Sequence, residues 1–281
     1  MTLSDIIRKG KQHLETSPAS FSDAEDHMMR IVEVALGWTR NQVLIGLPEP
    51  LTKEQIDAIS DVLSHRVDGK PLQYIEGKAG FWRSLFEVGP GVLIPRPETE
   101  LLIEILLRKG MPGRTRVAEL GAGSGNIGLS MCLERPNWDW FAFELNPESA
   151  VYAKKNHQAI LSGHSRYQLI EGDFFAGAAA IGPFDWIVTN PPYVASAQID
   201  TLSAEVRREP RLALDGGDDG LAVIRQLAKS GSILCDSGNL LMEIGEDQGI
   251  SAAQILRDGG FRKVEVFKDR NGLDRVVWGK K

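Results

Sequence analysis

Apolar positions recur at helical spacing through the first part of the chain. Met28, Ile31, Val32, Ala35 and Leu36 fall at i, i+3, i+4, i+7 and i+8, which is one stripe along a helix. Ser22-Asp23-Ala24-Glu25 precedes them with the spacing of a capping box, in which hydroxyl and carboxylate satisfy orphan backbone donors. Thr52-Lys53-Glu54-Gln55 repeats that signal, and Ile56, Ile59 and Leu63 continue it as a helix of about four turns. A further helix is expected over Leu3 to Leu14. Residues 1–80 thus read as a small helical domain without a chemical motif. Residue types alone give equal weight to a structural cap and to a docking surface for a protein substrate.

The periodicity then shortens. Leu85 to Val88 and Val92 to Ile94 read as two short strands around Gly89-Pro90-Gly91, so residues 81–97 form an expected β-hairpin linker. Pro95-Arg96-Pro97-Glu98 ends the second strand and opens a helix with Leu101, Leu102, Ile105 and Leu106 on one face. From Arg116 strands and helices alternate. Candidate strands are Arg116–Leu120, Trp138–Leu145, Tyr167–Glu171, Trp186–Thr189, Asn239–Ile244, Lys263–Phe267 and Arg275–Trp278. Such alternation predicts an α/β domain over residues 98–281, a mostly parallel sheet with helices on both faces. Asn271-Gly272 between the last two strands predicts a hairpin and hence an antiparallel edge.

Composition narrows the class. Of 281 residues, 42% are hydrophobic and 25% charged, the balance of a soluble globular protein. No apolar run is long enough to span a bilayer, and Met1 to Arg8 lacks the basic-then-apolar build of a signal peptide, so a cytoplasmic protein without a membrane partner is expected. Cys132 and Cys235 sit in apolar segments and read as buried, reduced thiols. The formal charge of −6, with no basic stripe, argues against direct nucleic-acid binding through phosphates. His13, His27, His65, His157 and His164 are scattered without metal-ligand spacing, and no metal is expected.

Two segments carry chemistry. The first strand runs into Glu119-Leu120-Gly121-Ala122-Gly123-Ser124-Gly125-Asn126-Ile127-Gly128. Glycines there allow a tight turn and let a ligand approach bare backbone at the positive end of a helix. Gly123, Gly125 and Gly128 also match the dinucleotide pattern, so an NAD-binding domain is one reading. Glu144, at the end of the second strand, suits two ribose hydroxyls under either reading. Glu119 tilts the choice: a carboxylate beside a pyrophosphate is poorly placed, whereas beside the ammonium of a methionine moiety it is well placed. Asp173 is a candidate acceptor for an adenine amino group, and Phe174 offers a face to the ring.

The fourth strand runs into Asn190-Pro191-Pro192-Tyr193. Each residue before a proline is driven out of the helical region, and the prolines carry fixed φ and no N–H. The corner is therefore stiff, with the Asn190 side-chain oxygen and the Pro191 carbonyl free to point outward. Two fixed acceptors match the two donors of an NH₂ group. Tyr193 would add a flat wall with a polar tip.

With these residues the chain resembles class I methyltransferases that carry (Asn/Asp)-Pro-Pro-(Tyr/Phe) and methylate planar nitrogens. More narrowly it resembles the HemK/PrmC family, the release factor glutamine methyltransferases. Pro71-Leu72-Gln73-Tyr74-Ile75-Glu76-Gly77, Leu93-Ile94-Pro95-Arg96-Pro97-Glu98-Thr99-Glu100, Glu209-Pro210-Arg211-Leu212-Ala213-Leu214 and Glu243-Ile244-Gly245 carry the likeness. A sister family acting on a ribosomal protein tends to have Arg-Ser-Pro where this chain has Arg96-Pro97-Glu98. Glu119 and Glu144 stand where many members have Asp. The resemblance implies a Rossmann-like methyltransferase sheet behind the helical domain, with S-adenosylmethionine held by Gly121, Ala122, Gly123, Ser124, Gly125, Glu144, Phe174 and Asn190. It implies that Asn190, Pro191, Pro192 and Tyr193 hold the glutamine of the Gly-Gly-Gln loop of class I peptide chain release factors. The product would be N5-methylglutamine, with the helical domain gripping the release factor. An adenine-N6 methyltransferase of DNA or RNA, a glutamine methyltransferase acting on a ribosomal protein, an NAD-dependent oxidoreductase and a binding module without turnover are the alternatives.

Overall fold

The computed structural model describes residues 1–17, 23–162 and 166–281. Ser22 and His164 lie outside the described residues. Backbone packing divides the chain into two units: Met1–Gly77 with Leu202–Arg208, and Lys78–Thr201 with Glu209–Lys281.

The first unit consists of α1 (Leu3–Glu15), α2 (Ala24–Leu36), α3 (Arg40–Gly46), α4 (Lys53–Val67) and α5 (Leu72–Glu76). The capping box before α4 forms, Thr52 accepting from the Gln55 N–H and Gln55 accepting from the Thr52 N–H. Asp23 caps α2 by accepting from the Asp26 N–H at 3.0 Å. Met28, Ile31 and Val32 are fully buried with Leu3, Leu14 and Val43, so the apolar stripe faces this unit's core. Helices α3 and α5, of seven and five residues, are too short to leave a periodicity. Arg66 is buried here, paired with Glu205, while Arg208 donates to the Asp68 carbonyl at 2.7 Å.

The second unit begins with a hairpin, β1 (Lys78–Phe81) and β2 (Ser84–Glu87), which corrects the expected linker. Its turn lies at Trp82-Arg83 rather than Gly89-Pro90-Gly91. Trp82 takes a left-handed φ of 53° and is fixed there by two carboxylates, its N–H donating to Glu100 at 2.7 Å and its indole to Glu134 at 2.8 Å. Val92 to Ile94 form no strand, because the Ile94 N–H goes to the Glu209 carboxylate at 2.9 Å instead of to a strand partner.

Then follow α6 (Glu100–Lys109), β3 (Arg116–Leu120), α7 (Asn126–Glu134), β4 (Asp139–Glu144), α8 (Pro147–Leu161), β5 (Tyr167–Glu171), α9 (Phe174–Ile181) and β6 (Phe184–Thr189). The chain closes with α10 (Ala222–Ala228), β7 (Leu234–Glu243), α11 (Gly249–Asp258), β8 (Lys263–Lys268) and β9 (Asp274–Lys280). The strands form one sheet in the order β5-β4-β3-β6-β7-β9-β8. Pairings from β5 to β7 are parallel, and β9 pairs antiparallel with both β7 and β8, the expected antiparallel edge. Apolar clusters bury both faces, one around Trp138, Trp140 and Leu106, the other around Phe143, Ile187 and Leu240. Cys132 is buried, but Cys235 near the start of β7 is only half-buried, contrary to expectation. Strand order reverses between β3 and β6, and in such sheets the crevice beyond the carboxyl ends at the reversal receives ligands. Among the described residues no helix is long and apolar enough to cross a membrane.

Candidate active site

At the end of β3 the chain turns sharply because three glycines adopt left-handed backbone: Gly121 (φ 69°), Gly123 (φ 57°) and Gly125 (φ 81°). The Phe143 carbonyl at the end of β4 accepts from the N–H groups of both Gly121 and Ala122, at 2.9 and 3.0 Å. Glu144 clamps the same loop. One of its oxygens accepts from the Gly123 N–H at 2.7 Å and the other from the Asn146 N–H at 2.8 Å. Burial raises the Glu144 pKa, and these backbone donors oppose the shift. A carboxylate offers about four lone-pair sites. Backbone amides take only part of that capacity, which leaves lone pairs for a ligand's hydroxyls. Farther round, Asp173 caps α9 by accepting from the Ala176 N–H at 2.8 Å, and Phe174 packs edge-on against Phe143 with centroids 5.3 Å apart.

The opposite wall is the corner after β6. Asn190 donates from Nδ2 to the Thr99 hydroxyl at 3.1 Å. Thr99 in turn donates to Glu243 at 2.6 Å, and the Tyr193 hydroxyl donates to the other Glu243 oxygen at 3.1 Å. With Nδ2 so engaged, Oδ1 is the acceptor Asn190 has left to offer. Among the described residues no N–H is bonded to the Pro191 carbonyl. Tyr193 is anchored again by its carbonyl, which accepts from Gln248 at 2.9 Å.

One cavity lies between these walls. Of the residues expected there, Gly121, Ala122, Gly123, Glu144, Asp173, Phe174, Asn190, Pro191 and Pro192 line it. Glu119, Ser124, Gly125 and Tyr193 do not. Glu119 is fully buried beneath α7, where one oxygen accepts from the Trp140 indole at 2.6 Å and the other has no partner among the described residues. Burial pushes its pKa up to about 8, with the Glu144 charge adding to the shift. Buried under the loop and away from the cavity lining, Glu119 supports the loop from below. A Cβ on Gly128 would come within 2.7 Å of that carboxyl, which is why glycine stands there.

Ser124 turns its hydroxyl to Asn126 at 3.3 Å and gives its carbonyl to Asn156 at 2.9 Å. Gly125 is the capping residue just before α7, and a Cβ on it would sit 2.9 Å from Leu129. The Tyr193 hydroxyl is committed to buried Glu243, so the ring serves as an anchor and not as the expected wall.

Sequence reasoning gave no role to Thr99, Arg96, Asn126, Leu212 or Ala213, all of which line the cavity. The signal was present, since most of them fall in segments that carried the family likeness. Arg96 pairs with buried Glu209, which also holds the Ile94 N–H and so ties the stretch before α6 to the segment that contributes Leu212 and Ala213.

Both parts of the chain have counterparts among known proteins. The family model described as PrmC N-terminal domain matches residues 5–77, and that described as Methyltransferase small domain matches residues 97–234. A release factor glutamine methyltransferase of Caulobacter vibrioides is 39% identical over 255 residues, covering 89% of this chain and 87% of the relative. Its counterpart from Moorella thermoacetica is 38% identical, covering 86% and 88%. Among solved structures, a methyltransferase from Pyrococcus furiosus shares the sheet fold with a TM-score of 0.52 at 20% identity, covering 70% of this chain and 88% of the other.

Proposed function

Because the chain belongs to the HemK/PrmC family of release factor glutamine methyltransferases, we propose that it methylates the side-chain amide nitrogen of the glutamine in the Gly-Gly-Gln motif of class I peptide chain release factors, with S-adenosylmethionine as donor. The observation that carries this reading is that the Asn190-Pro191-Pro192 corner and the glycine loop with Glu144 line the same cavity. Gly121 to Gly123, Glu144, Asp173 and Phe174 would hold the cofactor, and the fit rests on the lone pairs Glu144 keeps after its backbone bonds. The cofactor, when bound, supplies a methyl group already activated on a sulfonium.

An amide nitrogen is a poor nucleophile because its lone pair is delocalised into the carbonyl. The chain's own contribution is alignment. Asn190 Oδ1 and the Pro191 carbonyl accept the two N–H bonds of the substrate amide, fix its plane and turn the nitrogen towards the cofactor wall. Orientation of this kind lowers a barrier by about 7–11 kcal/mol in favourable cases. Acceptors that tighten as the nitrogen gains positive character favour the transition state over the ground state. The helical unit matched by the PrmC N-terminal domain would dock the release factor, which puts the reaction in the cytoplasm.

The test is mass spectrometry of a class I release factor after incubation with enzyme and S-adenosylmethionine, with DNA and RNA offered in parallel. One added methyl group on the Gly-Gly-Gln glutamine is expected. Methylated adenine with an unmodified release factor would replace this reading by the adenine-N6 alternative.

A further inference from the structure

Asn190 is useful to an amide only if it presents oxygen, and nothing intrinsic to a carboxamide decides which end faces a ligand. The two ends have nearly the same shape, and their assignment follows from the hydrogen bonds around them. Here those bonds lead inward from the cavity wall. Thr99 and Glu243 are each 1% exposed. The Thr99 hydroxyl owns one hydrogen, and it lies 2.6 Å from a Glu243 oxygen and 3.1 Å from Asn190 Nδ2. An ionised carboxylate can only accept. Thr99 must therefore donate to Glu243, its oxygen must accept from Asn190, and Asn190 must turn its NH₂ inward.

We propose that Glu243 acts as a positioning residue for methyl transfer, setting through Thr99 which end of the Asn190 amide faces the substrate. The inference rests on the glutamine-holding role given above to Asn190. A proton on the Glu243 oxygen nearest Thr99 reverses the chain of donors: the carboxyl donates to Thr99, Thr99 donates to Asn190, and Asn190 swings its NH₂ outward against the substrate's NH₂. The Tyr193 bond at 3.1 Å occupies the other Glu243 oxygen and holds the carboxylate in plane, without being part of the route to Asn190.

The charged and titratable groups facing Glu243 are Tyr193 from the corner, Arg275 from β9 and Glu98 from the turn before α6. Burial pushes the Glu243 pKa up to about 6, against the bonds from Thr99 and Tyr193 and the Arg275 charge, all of which favour the carboxylate. The switch between acceptor and donor thus falls just below neutral pH.

The decisive measurement is the pH profile of kcat on a release factor, together with cofactor Kd. The native enzyme should lose kcat as pH falls through about 6, the region set by Glu243. Thr99→Val, of the same shape but unable to relay, should lower kcat roughly 100-fold, the scale of a misplaced reacting group, leave cofactor Kd unchanged and abolish the acid limb. Thr99→Ser should restore both rate and limb, which filling of space alone would not do. Glu243→Gln should be slow and flat with pH; if it fails to fold, the two Thr99 variants still decide. A Thr99→Val enzyme with normal kcat, or one that keeps the limb, overturns the relay. If Asn190→Ala also turns over normally, the glutamine-holding reading itself has failed.

Discussion

On the glycine-loop side of the cavity, Glu144 bonds backbone amides 21 and 2 residues away. Across the cavity Asn190 is held by Thr99, 91 residues earlier, and Tyr193 by Glu243, 50 residues later. The first wall is made of main chain bent by glycine and clamped by one carboxylate. The second is a proline-stiffened corner whose side chains take their direction from two distant elements. On the proposed reading, local backbone would suit a cofactor that binds in one pose, and a wall that has to show a substrate oxygen and not nitrogen would need instruction from elsewhere in the fold.

This contrast predicts that damage to the two walls will separate cleanly. The largest effect is expected from Asn190→Ala, which should lower the single-turnover rate by roughly 100-fold or more while calorimetry finds cofactor affinity changed by less than about threefold. A large loss of cofactor affinity would mean that the corner serves both walls and that the division is wrong.

Next in size is Glu144→Ala. Losing a charged acceptor of hydroxyl groups should weaken cofactor binding by about 10- to 100-fold. The rate at saturating cofactor should fall far less, and a collapse of that rate would count against the assignment.

Smallest is Glu119→Gln, which tests whether this carboxyl is a prop or a ligand. Its pKa rises from 4.5 to about 8 on folding, so between those values the native state binds a proton that the unfolded chain does not. Stability should therefore fall as pH rises through that window, by up to about 1.4 kcal/mol per pH unit. Gln mimics the neutral form and keeps an acceptor for Trp140. Urea melts should find the variant equal to the native protein below pH 5 and more stable above pH 8, with cofactor affinity unaltered. A loss of affinity would return Glu119 to the cofactor site.

The difference between the walls also explains what the residues alone made legible. The alternation of β3 to β6, the left-handed glycines and Glu144 are local features, readable from spacing. Asn190, Pro191 and Pro192 were readable because proline imposes its restrictions whatever surrounds it. The expected second strand at Val92 to Ile94 failed because a carboxylate 115 residues away takes the Ile94 N–H. The placement of Glu119 is hidden for a related reason: nothing in its neighbours announces that the side chain lies under α7 beside Trp140. Thr99 and Glu243 stood in recognisable segments, yet their bond spans 144 residues and becomes visible only once β7 lies beside β6.

The excursion of Leu202–Arg208 into the helical unit has a consequence of another kind. The chain passes between the two units after Gly77, after Thr201 and again after Arg208, so the helical part is not a bead strung ahead of the enzyme. A cut at Gly77 would take Glu205 from Arg66, whose guanidinium is 1% exposed. Evolution therefore cannot trade the amino-terminal module for another by simple recombination at that boundary. Any replacement must also reinvent a short stretch encoded inside the catalytic half, so that the two portions inherit change together.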